Sequence, residues 1–259
     1  MDLTAWTMEK GFCFLLILFR VAGMMMTTPV LSNRAIPEKV RVAISLFLSV
    51  GLFAVVPLPD RALPTTTLET ALLVAREVAI GVVTGFVALL VIASVQIAGQ
   101  YIGVKMGFGI ANMIDPATQS SVSEVATFYT LLAALLFLSL NGHHIVIDAL
   151  AASFGVLPVG ALNFPATIGM RLSAVMVVAF QVAFKMAAPI FIAVMLTNLV
   201  SGIIAKSAPQ MNVFFSVGFI VTILGGIVLV GASLPVFRFL LTEFVRDIDV
   251  ITVRVLQAS

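Results

Sequence analysis

Long apolar stretches alternate with short polar turns along this chain. The apolar runs are Phe12–Leu31, Val40–Val56, Ala71–Ala98, Ala126–Leu140, Ile145–Leu157, Leu172–Ala205 and Val213–Leu241. A helix needs about 20 residues to cross the hydrocarbon of a bilayer. Val40–Val56 is marginal by that measure, and Ala126–Leu140 and Ile145–Leu157 are short. The last two flank Asn141-Gly142-His143-His144, and read as two half-length helices or as one long helix through a polar interruption. Leu172–Ala205 exceeds one crossing and contains Lys185 and Pro189, where a proline predicts a break or kink. Together the runs predict about six helical segments.

The turns are as informative as the runs. Ser32 to Arg41 is a tight, basic, Pro37-containing connection, which is a helical-hairpin signal. Pro57 to Pro64 is a rigid connector ending the second run, and Pro158-Val159-Gly160 with Asn163-Phe164-Pro165 marks a later turn. Arg34, Lys39 and Arg41 argue that the first loop is cytoplasmic and the N-terminus outside; the later loops carry too little charge to extend the rule. The segment from Arg238 through Arg254 has the charge density of a soluble helix.

Composition narrows the class. The chain is 61% hydrophobic and 10% charged, against about 25% charged in soluble domains, so it lacks the polar surface to cover a globule. The fold class expected is an all-α integral membrane protein built of helical hairpins with kinked and half-length helices. A net charge of +2, carried by dispersed residues, does not suggest nucleic-acid binding. The single cysteine, Cys13, excludes an internal disulfide and reads as a small buried hydrophobe. Asp2, Glu9 and Lys10 precede the first run, no Ala-x-Ala site follows and Arg20 interrupts it, so a retained first helix is expected rather than a cleaved signal peptide.

Polar residues inside the runs need protein or water around them. Arg20 lies well inside the first run and is expected to face a protein partner or an internal aqueous path. Arg76 and Glu77 are adjacent and do not face each other, which reads as a helix entering at the membrane interface. Lys105, Asp148, Arg171, Lys185 and Lys206 read as lying near helix ends, where snorkelling suffices. Gly81 and Gly85, then Gly99 and Gly103 with Gly107 in register, make small-residue stripes suited to close helix packing. Gly107 to Glu124 is the least lipid-compatible interior stretch, with Asn112, Asp115, Pro116, Thr118, Gln119 and three serines. It reads either as a solvent-exposed loop or as a loop inserted into a pore, since irregular backbone at membrane depth is tolerated only in protein or along water.

His143 and His144, with Asp148 four residues after His144, could supply a general base and its orienting carboxylate, and Ser153 lies downstream. No Gly-x-Ser-x-Gly or His-Glu-x-x-His motif accompanies them, and two histidines are too few for a self-sufficient metal site. A polar interhelical turn is the reading preferred for this cluster, and neither an enzymatic role nor a cofactor is expected. A free-standing transporter would be expected to show inverted-repeat signals, which the chain lacks.

Arg20-Val21-Ala22-Gly23, Pro29-Val30-Leu31 and Ile36-Pro37-x-x-Val40-Arg41-Val42 resemble the N-terminal signature of the FliR family of flagellar export-gate proteins, whose injectisome counterpart is SctT. Gly99-Gln100-Tyr101-Ile102-Gly103, Asp115-Pro116, Phe128-Tyr129-Thr130, Leu136-Phe137-Leu138 and Asn141-Gly142-His143-His144 are similar to the family in order and spacing. Ala188-Pro189, Asn198, Gly202 and Ala208-Pro209-Gln210-Met211-Asn212-Val213-Phe214 continue the resemblance over nearly the whole chain. Met211 to Phe214 favours the flagellar branch.

The resemblance implies a non-enzymatic subunit of a type III protein export gate in the bacterial inner membrane, at the flagellar basal body. It implies a FliP-like part, about 1–165, fused to a FliQ-like part and charged tail, about 166–259. The implied partners are FliP and FliQ within a hetero-oligomeric gate, FlhB and FlhA beyond it, the rod and hook junction proteins, membrane lipid and unfolded export substrates. It implies that Gly107, Phe108, Gly109, Asn112, Met113, Asp115, Pro116 and Gln119 belong to a plug loop closing the channel. Arg20 is expected to serve assembly. The chain has no Walker A motif, so energy would come from other components.

Overall fold

The structure is a computed structural model that describes residues 3–33, 36–57, 64, 66–108, 123–160, 166–207 and 218–257. Among the described residues it is helical, with no strand. Eight helices are described: α1 (Leu3–Thr27), α2 (Glu38–Val55), α3 (Thr67–Lys105), α4 (Glu124–Ser139), α5 (Gly142–Val156), α6 (Ile168–Ser207), α7 (Phe219–Arg246) and α8 (Ile248–Leu256). Among them, four are long and apolar enough to cross a membrane, or five if the bent pair α4–α5 counts as one span. The chain is an all-α integral membrane protein, as its apolar runs predict.

The structure decides between two alternatives at one place and departs from the sequence expectation at two others. First, α4 and α5 are two separate half-length helices, one of the two arrangements the sequence allowed, meeting at 65°. The bend is made at Asn141, which sits in the left-handed region at φ 55 and whose carbonyl accepts the His144 N–H at 2.8 Å. Asparagine tolerates that conformation better than other non-glycine residues. Second, α6 runs unbroken for 40 residues through Pro189. A proline in a helix removes one backbone hydrogen bond, here the one to the Lys185 carbonyl, and long membrane helices absorb such a loss locally. Lys185 therefore lies mid-helix, and Asp148 lies inside α5, rather than near helix ends. Third, the charged C-terminal segment is divided between two helices: Arg238, Glu243 and Arg246 continue α7, while Asp249 and Arg254 lie on α8, which packs on α5. Arg171 Nη1 donates to the carbonyls of Arg254 and Gln257, each at 2.6 Å, satisfying acceptors left open at the end of α8.

The chain divides into two compact units. The first is Met1–Leu90, Leu138–Met176 and Val245–Ser259; the second is Val91–Phe137 and Val177–Phe244. Within the first, α1 and α2 form a hairpin closed by Arg41, whose Nη2 donates to the Ile36 carbonyl at 3.1 Å. On α2 the buried residues are serines and the opposite face is apolar. Ser45 and Ser49 are buried and bond back to the carbonyls four residues earlier at 2.9 and 2.7 Å, while Phe47 on the opposite face is 80% exposed. That inversion suits lipid, because self-satisfied hydroxyls can be buried cheaply and the apolar face needs no water. The core of the second unit is Val95, Ala98, Ile102, Ala133, Phe137, Ala183, Ala187 and Ile190.

Candidate functional site

Arg20, the membrane-depth cation of α1, is fully buried. Its Nε donates to Glu77 Oε2 of α3 at 2.6 Å, and Glu77 is also fully buried. Nη1 donates to Ser153 Oγ at 3.2 Å and Nη2 to the Leu157 carbonyl at 3.0 Å. The guanidinium carbon lies 4.1 Å from the centroid of the Phe154 ring, a close cation–π contact. The second carboxylate oxygen, Glu77 Oε1, accepts the backbone N–H of Gly160 at 3.0 Å, and Gly160 holds φ 69, a conformation that favours glycine. One ion pair thus joins α1, α3, the end of α5 and the turn beyond it.

The placement of each group has a physical reason. Ser153 and Leu157 lie at the C-terminal end of α5, where unsatisfied carbonyls concentrate negative potential and a cation is favoured. Ser153 donates its own hydroxyl proton to the Leu150 carbonyl at 2.6 Å, leaving its lone pairs to accept from Arg20. Every donor on Arg20 named here meets an acceptor that is itself oriented. A buried ion pair stabilises only when its remaining lone pairs and protons are satisfied in this way. Ser153 is fully engaged in this network, so it is not placed as a nucleophile for the histidine pair.

Close backbone contact surrounds the pair. A methyl added to Gly81 would overlap the Arg20 carbonyl, one on Gly85 would overlap Thr27 and the Met24 carbonyl, and one on Gly23 would press the Val78 carbonyl. The threonine hydroxyl donates across to the Val82 carbonyl at 3.3 Å. Gly23 on α1 and Gly81 and Gly85 on α3 thus let two backbones approach at the depth where Arg20 must reach Glu77.

In the second unit the glycines serve a different junction. A methyl on Gly99 would strike the Ala126 backbone, and one on Gly103 would overlap the Ser123 side chain. The end of α3 and the start of α4 are therefore side by side. The Ser123 N–H donates to Gln100 Oε1 at 2.8 Å. At the other side of the junction α3 ends in a Schellman cap: Gly107, at φ 93, donates its N–H to the Val104 carbonyl at 3.2 Å, and Phe108 donates to Gly103 at 3.1 Å. Of the expected loop residues, Gly107 and Phe108 are placed by this cap. Gly109, Asn112, Met113, Asp115, Pro116 and Gln119 lie outside the described residues.

His143 and His144 stack edge to face with ring centroids 4.3 Å apart, and Asp148 is exposed on the same helix. Among the described residues no group of three or more His, Cys, Asp or Glu side chains could hold a metal ion.

The sequence reading missed the partner of Arg20. It placed Arg76 and Glu77 at a helix entry, whereas both are buried and lie on the third turn of α3. The signal was present: Glu77 is the only carboxylate in the Ala71–Ala98 run, and a membrane-depth cation calls for an anion at similar depth. No sequence signal pointed to Phe154, Leu157 or Gly160, because a carbonyl or a ring face is available on every helix.

An all-helical chain with several candidate spans, a buried ionic staple and close glycine contacts is a polytopic membrane protein. The chain belongs to the family described as bacterial export proteins, family 1, whose pattern matches residues 12–248. It is similar to the flagellar biosynthetic protein FliR of Bacillus subtilis (strain 168), at 34% identity over 210 residues and 78% of each chain. Its similarity to the flagellar biosynthetic protein FliR of Escherichia coli (strain K12) is 31% over 219 residues, 84% of this chain and 82% of the relative. The surface presentation of antigens protein SpaR of Shigella flexneri is 26% identical over 220 residues, 83% of each chain.

Proposed function

We propose that this chain is a non-enzymatic component of a flagellar type III protein export apparatus in the bacterial inner membrane. The observation that carries the reading is the family match over residues 12–248, joined to flagellar relatives above 30% identity across most of the chain. In this reading the chain joins FliP and FliQ in a hetero-oligomeric gate for unfolded substrates, connected to FlhA and FlhB on one side and to the rod and hook on the other. Residues 1–165 act as the FliP-like part and 166–259 as the FliQ-like part. The many apolar residues left exposed on α6 and α7, including Phe184, Leu196, Leu199, Ile203 and Val228, support a chain that is covered by lipid and neighbouring subunits.

Within that gate the Gly107–Glu124 segment acts as the plug. Two observations support this assignment: its polar composition, and described boundaries that lie side by side at the end of α3, so that the segment leaves and returns at one place. Arg20 and Glu77 hold the fold that partners recognise, and their complete burial supports an architectural rather than a transport role.

Native mass spectrometry of the tagged chain purified with FliP and FliQ tests the reading. One defined hetero-oligomer is expected; a monomer or homodimer indifferent to those partners would overturn it. Deleting residues 112–119 is expected to make membranes leak ions while the complex still assembles. Unchanged permeability in an assembled complex would remove the plug assignment.

A further inference from the structure

Resting on that reading, one side of α6 can be assigned its neighbour by chemistry. Val178, Gln181, Lys185, Ile192, Leu196 and Ile203 recur at helical spacing, so they lie along one side of α6, and all are exposed. The side is apolar except at Gln181 and Lys185, which stand one turn apart with about 5–6 Å between their Cβ atoms. Pro189, a turn further on and also exposed, has no N–H, so the Lys185 carbonyl loses its helical donor at the same level. A cation, a carboxamide and an open acceptor are thus gathered within about two turns of an apolar face.

The second unit contains three lysines, and the chain compensates two of them. Lys105 ends α3, where helix carbonyls favour a cation, and its ammonium lies 5.7 Å from the Tyr101 ring centroid and 5.5 Å from that of Phe191. Lys206 lies in the last turn of α6 and has the same advantage of position. Lys185 has neither: it is mid-helix, and among the described residues no carboxylate pairs with it. Lipid does not supply the missing anion along this side. With 40 residues, α6 is about 60 Å long, about twice the hydrocarbon thickness, and exposed apolar residues continue on both sides of Lys185. Placing the ammonium at a headgroup would put one of those apolar halves in water. A protein neighbour covers both halves and brings the anion to Lys185.

We propose that this side of α6 is the docking surface for one helix of a neighbouring gate subunit, which sets an Asp or Glu carboxylate against Lys185 and Gln181. The ammonium and the carboxamide N–H groups meet the two carboxylate oxygens, and the apolar residues on either side exclude water from the pair. The difference from Arg20 is one of source. The chain carries its own anion for Arg20, so that pair sets the fold. The anion for Lys185 comes from the neighbour, so this pair sets assembly.

Lys185→Met tests this in two settings. In the chain purified alone in detergent, the thermal unfolding midpoint is expected to stay at the parent value or rise, because an exposed cation gives way to an apolar group of similar length. Co-expressed with FliP and FliQ, the same variant strands the neighbour's carboxylate, and native mass spectrometry is expected to show the hetero-oligomer reduced about tenfold or more. Lys185→Arg keeps the charge and is expected to retain most of the complex, while Gln181→Ala is expected to lose about threefold for one hydrogen bond. A Lys185 that faces lipid or water costs the complex nothing when its charge is removed, so full assembly of Lys185→Met overturns the proposal. A lowered midpoint of the isolated Lys185→Met chain would place the anion within this chain and overturns it as well. Assembly of the parent chain with FliP and FliQ reports on the export-gate reading by itself: an assembled parent with an equally assembled Lys185→Met rejects this contact alone.

Discussion

Arg20 and Tyr129 meet the same difficulty in the two units and resolve it differently. Each is a polar side chain inside an apolar helix. Arg20 is matched by a full charge, Glu77, and by three further groups that must all be present. Tyr129 is matched by one neutral partner, its hydroxyl lying 2.7 Å from Ser233 Oγ, with its ring packed 5.2 Å from that of Phe237. A buried charge costs several kcal/mol to desolvate and recovers it only through a complete set of partners. A buried hydroxyl costs less and needs one. The first unit is therefore built around a contact that fails as a whole, and the second around contacts that fail one at a time.

Glu77→Ala gives the sharpest test of that contrast. Stranding Arg20 in the core is expected to cost about 3–5 kcal/mol, seen as loss of full-length chain from membranes. Arg20→Met combined with Glu77→Leu is expected to recover much of the level lost in either single variant, since two apolar groups strand no charge. A double variant no better than Glu77→Ala would break the account of Arg20 as a paired charge.

Next in size is Gly81→Ala, whose methyl meets the backbone of Arg20 rather than a side chain that can move. A cost of about 1–3 kcal/mol is expected, read as a lower thermal unfolding midpoint of the detergent-purified chain. Gly225→Ala, with open space around it, is the matched control and is expected to leave the midpoint within error or raise it slightly.

Tyr129→Phe is expected to cost only about 0.5–1.5 kcal/mol by the same measurement, because both Ser233 and the ring retain other contacts: the Ser233 hydroxyl also donates to the Val230 carbonyl at 2.8 Å. A loss as large as that of Glu77→Ala would erase the contrast between the units. His144→Ala, at an exposed position, is expected to change stability by less than about 0.5 kcal/mol. A larger effect, or loss of a measurable turnover by the isolated chain, would give the histidine pair a role it lacks in this account.

The membrane class, the helical composition and most helix bodies were legible in the sequence, because bilayer thickness and backbone satisfaction constrain any apolar run regardless of its neighbours. Arg20 was legible as a residue needing a partner, for the same reason. The polar interruption at Asn141 was legible as well, though not whether it bends the chain. Tertiary structure alone decided that Glu77, 57 positions away, is that partner, and that the Leu157 carbonyl and Phe154 ring complete the set. A run of apolar residues specifies how far a helix can extend, since that depends on local solvation. It does not specify which face meets which neighbour, since that depends on shapes and partial charges brought together from distant parts of the chain.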